Sequence, residues 1–357
     1  MTSWRERWIG WRNARLSDPG FQRWAAKFPL TRPVARRRAR ALFDIVAGFT
    51  YSQVAYAVVE VDLLPFVAES KRSLAEVAAH TGLPFAGAER LLKAAIALDL
   101  IEAAGGGYWL GGAGAAMLGN PGVLEMIAHH RYLYADLADP VALLRGGGGS
   151  LAAYWPYGEG AAGPGDDRTS AYSALMAASQ PMLADQILDA YPLDRHRRLL
   201  DIGGGAGVFL RAAGRRQPAL GLTLFDLPAV AARLADPAIA AVGGSFVDDP
   251  LPAGADVVSL VRVLHDHDNA VVAKLLAKIH ARLPPGGTIL VAEPMAETPG
   301  AAPIGDAYFG MYLLAMGSGR PRSAAVLGTM LYAAGFVGVR EHATAIPMLV
   351  RVLTATR

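Results

Sequence analysis

The chain has 357 residues, 53% of them hydrophobic, a formal net charge of +3 and no cysteine. That suffices for one large domain or two ordinary ones, and it excludes disulfides and thiolate metal sites. No apolar run reaches membrane-spanning length without a charge or glycine break, and MTSWRERWIGWRNAR lacks the apolar stretch of a secretory signal, so a cytoplasmic location is expected.

Three parts follow in chain order: a basic arm over 1–40, a mostly helical part over 41–190, and alternating strands and helices over 191–357. Residues 1–40 hold ten arginines and Lys27 against Glu6 and Asp18, a balance of +9 that leaves −6 for the remainder. Trp4, Trp8 and Trp11 fall at i, i+4 and i+7, one helical face. That face suits either a bilayer headgroup region or packing on a neighbouring surface, with peripheral membrane contact as one outcome. Pro29 and Pro33 break the pattern, and RRRAR at 36–40 begins a new helix. In 73–110, Ser73 with Glu76 fits a capping box and the helix ends at Gly82. A second helix follows, then a hairpin through IEAAGGG and YWL. That is a winged helix, a DNA-binding form. Its second helix carries only Glu89, Arg90, Lys93 and Asp99 as charges, which favours packing and dimerisation, with no nucleic acid expected. GGGGS (146–150) and GEGAAGPGDD (158–167) read as loops.

Strands are legible from residue 198: RLLDI, LTLFD, one near 243–247, ADVVSLVRVLHD (255–266) and TILVAEP, with two short C-terminal runs suited to a closing hairpin. The run LLDIGGGAG ends a strand in Asp201 and continues into glycines at 203, 204, 205 and 207, which permit a tight bend and close ligand approach. Asp226 at the tip of the next strand is placed to accept from ribose hydroxyls. The dinucleotide spacing Gly-x-Gly-x-x-Gly fails, since Val208 or Leu210 takes the third glycine's place. No phosphate loop is present. Asp-x-Gly-Gly-Gly-x-Gly instead resembles the cofactor loop of S-adenosylmethionine-dependent methyltransferases, whose ligand has no phosphate.

At the end of the fourth strand stand His265 and Asp266. A neutral imidazole there suits removal of a proton from an attacking hydroxyl. Asp266, Asp268 and Asn269 could suggest a divalent cation, but capping of the helix from about 270 accounts for them more simply, so no metal is expected. Glu293 in VAEP could hold the imidazole's other N–H.

Taken together, LLDIGGGAG, FDLP, LVRVLHDHD, LPPGG and ILVAEP resemble the cation-independent, caffeate-type O-methyltransferases over roughly residues 40–355. The resemblance implies an α/β fold: a Rossmann-like class I methyltransferase sheet with an N-terminal, mainly helical winged-helix dimerisation domain, as a homodimer. It implies S-adenosylmethionine as cofactor, with Asp201, Gly203, Gly205, Asp226, Leu227, Ser245, Phe246 and Arg262 around it. It implies His265 as base, supported by Glu293 and Asp266. Two departures stand out. Gly244-Ser245-Phe246 replaces the family's Gly-Asp-Met-Phe adenine contact, and Pro321 in GRPRS stands where a second supporting glutamate is expected, which leaves Glu293 as the glutamate that supports the base. Within the family, FPLTRPVARRRARALFDIVAGFTYSQV and GRPRS are similar to purple-bacterial hydroxycarotenoid O-methyltransferases, which methylate a tertiary C-1 hydroxyl. The apolar segments 173–183 and 307–316, with Met176, Phe309 and Met311, then line the substrate. A phenolic or polyketide hydroxyl as acceptor, and a winged-helix regulator, are the competing expectations.

Overall fold

The computed structural model describes residues 3–146, 149–154 and 180–357. The chain divides into two compact units, 1–116 and 117–357. This differs from the expected divisions after 40 and 190, and each difference has a local reason. Helix α3 (Arg32–Glu60) runs unbroken through residue 40, because Pro33 sits in its first turn, where a missing N–H costs nothing. Helices beyond 116 build one apolar cluster with Leu313 and Met316 of the second unit.

In the first unit α1 (Trp4–Ser17) and α2 (Pro19–Lys27) precede α3. After α4 (Leu63–Glu69) come α5 (Leu74–Thr81) and α6 (Phe85–Ala97). The Ser73–Glu76 capping box forms, and Gly82 closes α5 at φ 67°, as expected. Strands β1 (Ile101–Ala104) and β2 (Gly107–Leu110) make the wing. Their two-residue turn puts Gly105 and Gly106 at φ 57° and 72°, the left-handed pair a tight hairpin demands. On α6 the Lys93 ammonium is already paired with Glu89 at 2.6 Å.

In the second unit α7 (Gly112–Leu118), which bridges the division, leads to α8 (Pro121–Asp136), α9 (Pro140–Leu144), α10 (Ser150–Tyr154) and a helix over 180–190, α11. The sheet then assembles from β3 (Arg198–Ile202), β4 (Gly221–Asp226), β5 (Ile239–Gly243), β6 (Val257–Val261), β7 (Thr288–Glu293), β8 (Val337–His342) and β9 (Arg351–Thr356), in the order β5-β4-β3-β6-β7-β9-β8. The first five are parallel and β9 runs antiparallel to both neighbours. Strand order reverses between β3 and β6, which puts a ligand crevice at their carboxyl ends. α12 (Val208–Arg216), α13 (Pro228–Ala231), α14 (Asn269–Arg282), α15 (Phe309–Met316) and α16 (Ala324–Ala333) complete the unit.

Two strands differ from expectation. The third ends at Gly243 rather than covering 243–247. Residues 245–249 fold instead into a turn, in which the Ser245 N–H donates to Asp249 Oδ2 at 2.8 Å. The fourth ends at Val261, because Arg262 takes φ 57° and turns the chain into a short 3₁₀ segment, Leu264–Asp266.

Candidate active site

The crevice begins at the glycine loop after β3. Gly203 (φ 69°) and Gly205 (φ 57°) adopt the left-handed conformation that side chains resist. A Cβ on Gly203 would strike Val263 Cγ2 at 2.9 Å, so that glycine lets the loop pack on the turn after β6. A Cβ on Gly205 would meet no atom within 4 Å, so open space lies beside its backbone. Asp226, at the tip of β4, accepts from the N–H of Gly205 at 2.8 Å and of Leu227 at 2.7 Å. One lone pair on each oxygen remains for a pair of hydroxyls. Burial pushes this carboxyl above its ordinary range, against those two N–H donors. Leu227 joins β4 to α13 and contributes its backbone N–H here.

Asp201 lies deeper. It is fully buried, accepts from Ser259 Oγ at 2.5 Å, and turns its unbonded Oδ2 toward Gly204, where a Cβ would overlap it. Burial pushes it up to about 7. It therefore shapes the glycine loop from below. Ser245 and Phe246 stand at the turn after β5. Lys278 fixes that turn by donating to the carbonyls of Phe246, Val247 and Asp249 at 3.0, 2.7 and 3.1 Å. Phe246 meets His267 edge-on at 5.1 Å. A bare backbone with open space, a ribose-type carboxylate and an apolar ring suit a nucleoside without phosphate, so the residues present fit S-adenosylmethionine. Asp226→Ala should weaken S-adenosylhomocysteine binding about tenfold to a hundredfold in calorimetry, the scale of charge-assisted hydrogen bonds. An unchanged Kd would exclude the ribose role.

At the end of β6 the backbone of Arg262 turns left-handed while its N–H still donates to Ala292 O at 2.8 Å. The next residues fold over Glu293, which is almost wholly buried at the tip of β7. One Glu293 oxygen accepts from the N–H groups of Val263 and Leu264 at 3.0 and 2.7 Å; the other receives His265 Nδ1. The ring is thereby fixed in orientation, with Nε2 on the side away from Glu293. Asp266 Oδ1 lies 3.1 Å from Nε2 but makes no directed hydrogen bond. Burial opposes a charge on the ring, yet the carboxylates of Asp266 and Glu293 outweigh it and push His265 up to about 10. Two carboxylates thus stand beside the ring, Glu293 at Nδ1 and Asp266 near Nε2, whereas Pro321 offers none.

The sequence GSGRPR (317–322) has a role that residue types did not reveal. Ser318 Oγ donates to Asp266 O at 2.9 Å, the Arg320 N–H to His265 O at 2.8 Å, and Arg322 to Leu264 O at 2.6 Å and His267 O at 2.7 Å. Four consecutive carbonyls of the histidine turn are thus held by one loop. Arg322 also grips Asn269 Oδ1 through Nε and Nη2 at 2.9 and 2.8 Å, and Arg320 pairs with Asp268 at 3.3 Å. This corrects the capping expectation. Asp268 is the N-cap of α14 by position, but neither its side chain nor that of Asn269 caps the helix, because the arginines engage both.

Beyond the imidazole, the Phe309 ring lies 6.2 Å from His265. Met311 is half-buried against the cluster of Leu133, Leu143, Leu151 and Tyr312. Met176 lies outside the described residues. Sequence reasoning missed a polar pair beside Phe309: His130 Nε2 and the Tyr308 hydroxyl, 2.8 Å apart. His129 and Tyr312 repeat the pairing at 3.0 Å. Burial pushes both histidines down, His129 to about 4, so neutral rings face the phenols. Tyr308 ends a π-helical turn, Pro303–Tyr308, a form frequent at functional sites. The only sequence signal was the density of rings in HHRYLY.

Residues 134–337 match the O-methyltransferase domain family. Demethylspheroidene O-methyltransferase of Rhodobacter capsulatus is 45% identical over 338 residues, spanning 93% of this chain and 85% of that protein. The enzyme of the same name from Cereibacter sphaeroides is 44% identical over 350 residues, spanning 94% and 92%. Among solved structures, human N-acetylserotonin methyltransferase in complex with S-adenosylmethionine superposes with a TM-score of 0.76 at 24% identity, spanning 90% of this chain and 97% of that one.

Proposed function

Because the chain belongs to the O-methyltransferase family and is an S-adenosylmethionine-dependent enzyme, we propose that its acceptor is the C-1 tertiary hydroxyl of an acyclic hydroxycarotenoid. The relatives named for demethylspheroidene support the substrate class. The observation that carries the choice of hydroxyl is the imidazole set between two buried carboxylates. An aliphatic alcohol is a far weaker acid than a phenol, and two carboxylates beside the ring stabilise the imidazolium that forms as its proton is taken.

S-adenosylmethionine supplies, when bound, a methyl group on a positively charged sulfur. His265 takes the hydroxyl proton at Nε2 as the oxygen attacks. Glu293 keeps the Nδ1 proton and the ring orientation, and Asp266 stabilises the imidazolium that results. Phe309, its ring 6.2 Å from the imidazole, presents an apolar surface that excludes water and lets the acceptor oxygen be aligned. Asp226, Gly205 and Phe246 hold the nucleoside.

A homodimer is part of the same proposal, and an exposed face of α3 supports it. Leu42, Phe43, Ile45, Val46 and Phe49 form one exposed apolar strip on α3, the kind of face a second copy covers. A sedimenting mass of one chain would remove this part of the reading.

The test of the acceptor is transfer of labelled methyl from the cofactor to extracted 1-hydroxycarotenoids and, separately, to a panel of phenols. Label is expected in the carotenoid C-1 ether. Label in phenols alone would overturn the proposal.

A further inference from the structure

We propose that residues 1–40 dock the protein on an anionic lipid surface, with the tryptophans of α1 in the headgroup layer. In α1 no residue is buried, and Trp4, Trp8 and Trp11 are 74%, 45% and 61% exposed along one face. A helix of 14 residues is marginal in water without a surface to pack on. This one is held by caps instead. Ser3 and Glu6 form a capping box, and Asp18 accepts from the N–H groups of Gly20 and Phe21 to start α2. The two acids of the arm are thereby occupied, while Arg5, Arg7, Arg15, Arg23, Arg32 and the run at 36–40 stand exposed. Exposed apolar side chains also follow α1: Trp24, half exposed, stacks on Phe28 at 5.2 Å, and Leu30 is 81% exposed.

Charge decides the occupant. The arm carries +9, so laying it on the arm of a second copy brings like charges together. The α3 strip lacks this repulsion, since among residues 42–49 the single charge is Asp44. Indole rings flanked by arginine instead match a layer whose depth is half apolar and whose phosphates are negative. Arg12 already lies 5.2 Å over the Trp8 ring, a contact that lets a cation sit beside indole as it leaves water.

Vesicle binding is read without substrate, so this inference stands or falls apart from the acceptor's identity. The intact chain should co-sediment with vesicles of phosphatidylcholine and phosphatidylglycerol. Its tryptophan emission should shift to the blue, and binding should weaken on phosphatidylcholine alone and at high salt. Replacing Trp4, Trp8 and Trp11 together by alanine should lower vesicle affinity about tenfold or more. Replacing Arg5, Arg7 and Arg15 by glutamine should do the same on anionic vesicles only. Cofactor affinity and the melting temperature should hold in both variants. Undiminished binding by the tryptophan variant would overturn the proposal. So would loss of the dimer in that variant, which would place the arm on a partner chain, or retention of a DNA duplex in preference to vesicles.

Discussion

Replacing His265 by alanine should abolish methyl transfer, with kcat falling by about a thousandfold or more and cofactor Kd nearly unchanged. A positioned base is worth about 10²–10⁴-fold. The buried carboxylates of Glu293 and Asp266 lose their shared cation in that variant, so the melting temperature should fall as well. His265→Gln keeps a donor toward Glu293 and separates loss of fold from loss of chemistry. Retained turnover in either variant removes the histidine as base. The pH profile carries the same argument with a sign. Only the neutral ring accepts a proton, and the ring is raised to about 10, so kcat/KM should climb tenfold per pH unit across neutral and mildly alkaline pH and level off near that value. Asp266→Asn withdraws one of the two charges that favour the imidazolium, and should move the break about one to three units toward lower pH. A break that stays in place would show that Asp266 does not act on the ring.

What could be read from residues alone divides along physical lines. The glycine loop, Asp226 and the pair of His265 and Glu293 were legible because each answers a local demand: positive φ, or a polar side chain at the end of an apolar strand. The winged helix was legible for the same reason, since Ser73, Glu76 and Gly82 mark their own helix ends. The third strand was misplaced because β5 lies at the sheet edge, where four of its five residues are exposed and leave no apolar alternation to follow. Asp266 was named beside His265 and Glu293 through the family resemblance, while by residue type it fitted a metal cluster with Asp268 and Asn269 equally well. Its place beside Nε2 depends on the left-handed turn at Arg262, which no pattern of residue types announces. The pairing of His130 with Tyr308 joins residues 178 positions apart, beyond any periodicity.

The second large effect is expected at Arg322, a residue that touches neither acceptor nor cofactor in this reading and acts through the turn that carries His265. A guanidinium is suited to this place because its planar fork donates in several fixed directions at once, and here it satisfies two carbonyls and an amide oxygen. Arg322→Met fills similar space but leaves Leu264 O, His267 O and Asn269 Oδ1 without their donor. With the turn released, the imidazole loses its aim, and a displacement of about 1 Å is enough to cost about a hundredfold in rate. Arg322→Lys should recover little, since one ammonium cannot reach three acceptors in that geometry. Gly319→Ala tests the same strap from its other side. Gly319 sits at φ 81°, and a Cβ there would overlap the carbonyl of His265. Both variants should lower kcat far more than they raise cofactor Kd, and both should shift the pH break, because the distances from the ring to Glu293 and Asp266 set its pKa. A fall in melting temperature with kcat and the pH break intact would make the strap a matter of stability alone.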